Sequence, residues 1–307
     1  MPSGRDIQRR IKSIRNTKKI TKAMEMVASS KMRRAIRDVL ATRNYSRSAW
    51  DLVRRLADKT AAEHHPLLEE RSEIKKIGVI LITSNRGLCG GFNYQIIHRV
   101  NQYFREQKEK QVGIEADLVI MGKKGRDVMF KHGHTIIAEF NKLDIINAIE
   151  EIRPLAKLVI DEYSSGKYDK VVVAYTDFIS SLVQKPRILQ LLPIRASEGE
   201  DKNLGQVMAD EQDNNVKKEN NNFEYLFEPD PRTVLEDLLP RLIEMQIYQA
   251  LLESNASEHS ARMMAMRNAS DAAGEMIDEL TFSYNQVRQA AITREIAEIV
   301  GGMAAVE

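Results

Sequence analysis

One stretch of the chain has the residue types of a small-molecule site: Thr83-Ser84-Asn85-Arg86-Gly87-Leu88-Cys89-Gly90-Gly91-Phe92-Asn93. It joins an apolar run to a helical pattern, so its backbone amides could hold a phosphate at a helix N-terminus. The Lys-Ser/Thr ending of a P-loop is absent, however, and the glycine spacing is not the dinucleotide fingerprint. A tight turn needing positive φ and close helix–strand packing accounts for the same glycines without a ligand. Cys89 lies in this turn with no patterned histidine nearby, which argues against a nucleophile. His64, His65, His132 and His134 lack partners at zinc-ligand spacing, so no metal is expected. No carboxylate pair stands out from the many Asp and Glu. The chain therefore gives little support for catalysis, and no cofactor is expected.

The elements that would position such residues are of two kinds. At 307 residues the chain has room for one or two domains, and 43% hydrophobic residues suffice for a core. A net charge of +2 hides strong local asymmetry. The single cysteine excludes an internal disulfide and suits a reducing compartment. No apolar run is long enough to span a bilayer. The start of the chain has no apolar segment of secretory type, because Ile7, Ile11 and Ile14 already belong to a patterned helix. A soluble, cytoplasmic protein is expected.

The middle of the chain alternates strands and helices. Strands are read at Lys76–Thr83, Asp117–Met121, Thr135–Phe140 and Lys170–Tyr175, with Arg187–Ile194 as an antiparallel edge strand. Helices are read at Tyr94–Lys110, Lys124–His132 and Ile145–Ser164, the last in spite of Pro154. This alternation predicts a parallel α/β sheet with crossover connections. From Ser197 to Asn222 the chain is polar and acidic, which predicts a mobile loop.

The two ends are different. Asp230-Pro231 is an N-cap followed by proline at the first helical position, and Pro240 is expected to kink or restart the helix that follows. From Met263 the residues Met266, Ser270, Ala273, Ile277, Leu280, Tyr284, Val287 and Ala291 recur at spacings of three and four, a coiled-coil seam. A helix from Pro231 to about Ala305 would be on the order of 110 Å long. Gly4 to about Thr60 holds no proline and no further glycine, and reads as a second long helix of roughly 80 Å. Its apolar positions run Ile7, Ile11, Ile14, then shift to Ile20, Met24 and Val27, and resume at Ile36, Val39, Leu40, Trp50, Val53 and Leu56. Lys18, Thr21 and Glu25 interrupt the seam. The two helices are expected to pair antiparallel.

The first helix is strongly basic near its start, with Arg5, Arg9, Arg10, Lys12, Arg15, Lys18, Lys19 and Lys22 opposed only by Asp6 and Glu25. A solvated face, phosphate neutralisation by a nucleic-acid binder and docking on an acidic protein are all open readings. No aromatic residue is available there to stack on bases, and nucleic acid is not the expected partner. Met24, Met26 and Met32 on one helix and Met263, Met264 and Met266 on the other serve equally as seam packing or as an adaptable partner surface.

Two motifs then carry a resemblance. Ile292-Thr293-Arg294-Glu295-Ile296-Ala297-Glu298-Ile299-Val300-Gly301-Gly302-Met303-Ala304 resembles the C-terminal signature of the γ subunits of F-type ATP synthases. Lys19-Ile20-Thr21-Lys22-Ala23-Met24-Glu25-Met26-Val27-Ala28, followed by Lys31, is similar to that family's N-terminal hallmark. The Arg86–Gly91 turn and Tyr225–Pro231 match as well. The chain departs from the family at Asn85, where Asp is usual, and in the length of the Ser197–Asn222 loop. That loop holds no cysteine, so the thiol switch of the chloroplast form is not expected.

The resemblance implies an α/β fold class: two long terminal helices paired as an antiparallel coiled coil, with a central Rossmann-like α/β domain. It divides the chain into a shaft helix at 1–65, the α/β domain at 75–196, a mobile loop and foot segment at 197–229, and a second shaft helix at 230–307. It implies a non-catalytic rotor, turning inside a hexameric ring of α and β subunits beside ε and the membrane c-ring. That complex would lie on the cytoplasmic face of a bacterial plasma membrane, and the chain would reach the membrane only through it. By matching positions, Met24, Arg262, Arg288, Gln289, Thr293, Glu295 and Glu298 are expected to contact β subunits and couple rotation to catalysis. Arg262 and Glu298 are either an ion pair or separate β contacts. Lys31, Arg33 and Arg34 form a basic shaft face for an acidic β segment, and Tyr225, Phe227 and Glu228 meet the c-ring and ε. Small and apolar side chains near Ala304-Ala305-Val306 are expected to act as a bearing.

Overall fold

The structure is a computed structural model that describes residues 4–59, 65–69, 71, 73–111, 113–142, 144, 149–194 and 230–304. In chain order the elements are α1 (Gly4–Lys59), β1 (Lys76–Ile82), α2 (Phe92–Lys110), β2 (Glu115–Met121), α3 (Lys123–Lys131) and β3 (Thr135–Phe140). A 3-10 turn at Ile149–Glu151 leads to α4 (Arg153–Ser164), β4 (Lys170–Phe178), β5 (Gln184–Leu192) and α5 (Pro231–Ala304). The described residues group into two compact units. One is Ser30–Ala261, and the other joins the chain up to Ser29 with the chain from Arg262 onward.

Within Ser30–Ala261 the five strands lie in the order β3-β2-β1-β4-β5. The first four are mutually parallel, and β5 pairs antiparallel with β4 at the edge. Both faces are covered, which is why the central strands read as unbroken apolar runs rather than alternating ones. Ile77, Val79 and Leu81 of β1 face Ile96, Val100 and Phe104 of α2 and Met129 of α3. Ile80 and Ile82 pack into the opposite core with Leu155 and Val159 of α4, Leu239, Ile243 and Ile247 of α5, and Ala35 and Val39 of α1. The helix expected to begin at Ile145 begins at Arg153, with Pro154 in its first turn. There proline removes only an amide that has no intrahelical partner, so it starts the helix instead of interrupting it.

The start of α5 is capped as its sequence requires. Thr233 N donates to Asp230 Oδ1 at 3.0 Å, and the Thr233 hydroxyl donates to Oδ2 at 2.7 Å. α5 runs on through Pro240 as one helix of 74 residues, so the expected restart does not occur.

In the other unit α1 and α5 run antiparallel. Gln8 Nε2 donates to the Tyr284 hydroxyl at 2.8 Å, and a Cβ placed on Gly274 would meet Lys18 Nζ. The numbers fall on α5 as they rise on α1. Met266, Ser270 and Ala273 of the α5 seam are buried, and Ile277, Leu280, Tyr284 and Val287 are half-buried among mostly exposed neighbours.

On α1 the shifted seam positions hold only at half-buried Met24. Ile20 is 61% and Val27 58% exposed, whereas Thr21 is buried. The inward track is Ile7, Ile11, Ile14, Thr21, Glu25 and Ala28, all buried or half-buried; Lys18 keeps the alternation of four and three between Ile14 and Thr21, but its side chain is exposed. Thr21 enters it because its hydroxyl lies 3.1 Å from the Thr17 and Lys18 carbonyls of its own helix, which leaves the methyl to face inward. In the other unit, Ile36 is half-buried and Val39 buried, while Leu40 is 46% exposed and not a core position. The side chains of Trp50, Val53 and Leu56 lie outside the described ones.

Candidate functional site

The glycine-rich turn sits at the carboxyl end of β1, next to β4. In an open α/β sheet this is the topological switch point, where a ligand crevice forms. Beside this turn, the chain's own groups use the first amides of α3. The amide of Lys123 donates to Asn85 Oδ1 at 3.3 Å, that of Lys124 to the Ser84 carbonyl at 3.0 Å and that of Gly125 to Thr83 Oγ1 at 2.9 Å. These are the first three amides of α3. Gly122 has φ +108°, and a Cβ there would come within 2.2 Å of the Thr83 carbonyl oxygen. The glycine therefore closes the turn onto the strand. Ser84, Cys89 and Asn93 complete a local network, with Asn93 Oδ1 accepting from Ser84 N at 2.9 Å and Asn93 Nδ2 2.7 Å from Ser84 Oγ. Cys89 is buried within it, 3.3 Å from Asn93 Nδ2.

The crevice is also occupied from above by α5. The Ser257 hydroxyl donates to the Thr176 carbonyl on β4 at 3.0 Å, and the Ser260 hydroxyl to the Ser181 carbonyl just past that strand at 2.7 Å. Glu258 pairs with Lys142 at 2.5 Å, both almost fully enclosed, while the Lys142 carbonyl accepts from Asn85 Nδ2 at 2.6 Å. Lys142 Nζ also stands 5.5 Å from the centre of the Phe92 ring. From Gln249 to Ser260 every α5 residue is buried, although most are polar. This polar helix segment packs against the carboxyl end of β4 and against the chain that follows β3. Sequence reading missed it, because hydropathy marks Ser, Asn, Gln, Glu and His as exposed; the clue was a glycine- and proline-free run whose polar residues left no solvent face.

In the antiparallel unit the expected partner residues fall into two groups. Met24 and Arg262 are half-buried on the paired part of the helices. Arg288, Gln289, Thr293, Glu295 and Glu298 are exposed on the end of α5, where every residue from Arg288 to Gly301 is exposed. Ile292, Ile296, Ile299 and Val300 form an apolar stripe along that end, with Val300 at 61% exposure. Arg262 and Glu298 cannot be an ion pair within the chain, because 36 positions of one continuous helix, about 54 Å, separate them. Arg15, Lys18, Lys19 and Lys22 line an open groove with Ala23, Met26, Ser270 and Asp271, so the basic bias becomes a surface with an apolar floor.

Of the basic residues in the larger unit, Lys31 is tied to Asp144 at 2.7 Å, and its ammonium holds the Asp144 carboxyl below the usual carboxylate range. Arg33 and Arg34 are exposed. Tyr225, Phe227, Glu228, the 197–222 loop, Ala305 and Val306 lie outside the described residues.

Comparison with known proteins agrees with this architecture. A family model described as ATP synthase matches residues 3–306. The chain is 45% identical over 307 residues to the ATP synthase gamma chain of Pelotomaculum thermopropionicum, with all of both chains covered. It is 41% identical to that of Chloroflexus aurantiacus, covering 99% of each, and 37% identical to that of Legionella pneumophila, covering 99% of this chain and all of the other. Among solved structures, a chain of the Euglena gracilis mitochondrial ATP synthase (OSCP/F1/c-ring) matches with a TM-score of 0.63 at 20% identity, covering 99% of this chain and 94% of that one. A chain of the Tetrahymena thermophila mitochondrial ATP synthase central stalk and c-ring matches with a TM-score of 0.60 at 24% identity, covering 82% and 99%. With a family model matching residues 3–306 and full-length relatives at this level of identity, the chain belongs to the family of ATP synthase γ chains.

Proposed function

We propose that this chain is the rotor shaft of an F-type ATP synthase. It carries rotation of an ion-driven c-ring to β subunits, which make ATP or hydrolyse it in reverse, and it holds no catalytic nucleotide site of its own. The observation that carries this reading is the end of α5. A helix that leaves Ile292, Ile296, Ile299 and Val300 exposed on one stretch costs free energy in water and calls for an enclosing partner. A ring of three α and three β subunits supplies that enclosure, and exposed Arg288, Gln289, Thr293, Glu295 and Glu298 would meet it.

Met24 and Arg262 lie where β contacts would sense rotation, and Arg33 and Arg34, with Lys31 anchored to Asp144, would face an acidic β segment. Residues 1–65 and 230–307 act as shaft helices, 75–196 as the α/β domain and 197–229 as the foot, where Tyr225, Phe227 and Glu228 would meet ε and the c-ring. No helix among the described residues is long and apolar enough to cross a membrane. Association with the cytoplasmic face of a bacterial plasma membrane would therefore run through the complex.

The test is reconstitution with cognate α and β subunits and MgATP. One copy per three αβ pairs, with ATPase activity in the complex and none in the chain alone, is the expected result. A chain that stays apart from competent α and β subunits, and turns over ATP by itself, would overturn it. Within an assembled enzyme, Met24→Lys is expected to lower proton pumping per ATP hydrolysed by adding a charge at a half-buried rotary contact; unchanged coupling would remove Met24 from the interface.

A further inference from the structure

The apolar face of α5 does not by itself fix the helix along its own axis. Leu235, Leu239, Ile243, Ile247 and Leu251 are all buried and follow one another at intervals of four. A slip by four residues, about 6 Å, would put leucine or isoleucine wherever leucine or isoleucine stood. Such a face is nearly self-similar, and hydrophobic burial has no direction that would choose between the two positions.

The polar segment that follows does choose. Lys142 and Glu258 meet at 2.5 Å with both side chains enclosed. The Lys142 carbonyl accepts from Asn85 Nδ2 at 2.6 Å, which ties the residue to the turn after β1. Three or four positions from Glu258 stand Ser254, Asn255, Ala261 and Arg262, none of them acidic. A slip of one turn in either direction would take the carboxylate away from the buried ammonium, and a slip by four in one direction would bring Arg262 to its place. Stranding a buried charge costs several times more than losing a hydroxyl–carbonyl bond such as that of Ser257 or Ser260.

We propose that the Lys142–Glu258 pair is the register key of α5, selecting the one axial position that the apolar face leaves open. Both are positioning residues in the sense that a buried polar group in a coiled coil fixes register. Their functional consequence rests on the rotor reading. α5 is one helix of 74 residues, so a slip at Glu258 is carried along it to Arg262 and to Arg288, Gln289, Thr293, Glu295 and Glu298. The pair sets where along the helix axis these side chains are offered to β subunits.

The test reads the axial position of α5 in the full chain. Leu182 is exposed next to Ser181, whose carbonyl accepts from Ser260, and Asp237 is exposed about 35 Å back along α5 from Ser260. Spin labels at Leu182→Cys and Asp237→Cys therefore report a slip as a change in separation, and buried Cys89 can stay. With Lys142 and Glu258 in place, one distance is expected. Lys142→Met with Glu258→Met is expected to add a second, different by up to about 6 Å. Ser257→Ala with Ser260→Ala removes two hydroxyl contacts, keeps the ion pair, and is expected to leave the single distance. One unchanged distance in the methionine variant, or a second distance in the alanine variant, would overturn the proposal. The alanine variant keeps it open to refutation if the methionine variant does not fold. In the assembled enzyme the methionine variant is expected to bind α and β subunits in the wild-type ratio and to pump fewer protons per ATP hydrolysed. Full coupling by a helix that shows two distances would end the positioning role. Failure of the unaltered chain to assemble would instead end the rotor reading and leave the distance test standing.

Discussion

Two stretches of the same helix invert the usual rule for what is buried. From Gln249 to Ser260 α5 buries Gln249, Glu253, Ser254, Asn255, Ser257, Glu258, His259 and Ser260. From Arg288 to Gly301 it exposes Ile292, Ile296, Ile299 and Val300. The polar stretch meets the carboxyl ends of strands, where loop carbonyls and a lysine answer its hydroxyls and carboxylates. For Ser257, Glu258 and Ser260 those partners are within the chain, so their burial is already compensated. The apolar stretch has no such answer among the described residues. Its free energy is recovered only when another surface covers it, which makes it an interface in waiting rather than a stability element.

Breaking the polar stretch should have the larger effect. Lys142→Met leaves Glu258 charged and enclosed, and is expected to cost about 3–5 kcal/mol in urea unfolding. The double variant Lys142→Met, Glu258→Met should recover most of that loss, because a matched apolar pair needs no counter-charge. A double variant as unstable as the single one would mean that Glu258 is held chiefly by its other contacts.

The apolar stretch should respond in the opposite way. Changing Ile292, Ile296 and Ile299 together to Gln keeps helix-forming residues at exposed positions, so unfolding of the isolated chain should move by about 0.5 kcal/mol or less per site. Assembly with α and β subunits should weaken by about a hundredfold or more, since each isoleucine forfeits about 1.5 kcal/mol or more of burial. A variant that assembles normally would show that this stripe is not the covered surface. A variant that unfolds easily would show that the stripe packs within the chain.

How much of this was legible in advance depends on whether residue type and environment agree. The strands β1, β2 and β4 were plain because a parallel sheet covered on both faces demands apolar runs, and Val171-Val172-Val173 fits nowhere else. The α5 seam was plain because its residues are mostly apolar at a fixed spacing. On α1 the same spacing passes through Lys18, Thr21 and Glu25, and following apolar character alone led to exposed Ile20 and Val27. Thr21 qualifies only by bonding to its own helix, which composition does not reveal. The polar segment of α5 was opaque for the same reason. Its partners are strand ends and the Lys142 side chain, brought to it by the fold and not by neighbouring sequence. For the candidate site, the exposed positions Arg288 to Glu298 were found through a motif, whereas the impossibility of an Arg262–Glu298 pair needed only the continuity of one helix.

Gly274 lies between these two stretches, on the paired part of α5, and tests whether the helix pair behaves as ordinary helix surface or as close packing. A glycine inside a helix costs about 0.5–1 kcal/mol relative to alanine, so Gly274→Ala should stabilise the chain by that amount if nothing opposes it. The new Cβ would meet Lys18 Nζ at 2.8 Å and Cε at 3.6 Å. Both atoms are the far end of a flexible, exposed side chain, which can swing aside for little. The expected result is a gain near the lower end of that range in thermal or urea unfolding of the isolated chain. A loss instead would mean that Lys18 is fixed across the glycine, so that the polar link in the α1 track is a packing element like Ile14 and Thr21 on either side of it. Adding Lys18→Ala separates the two cases: it restores the gain if Lys18 was the obstacle and leaves the loss unchanged if the backbones themselves are too close.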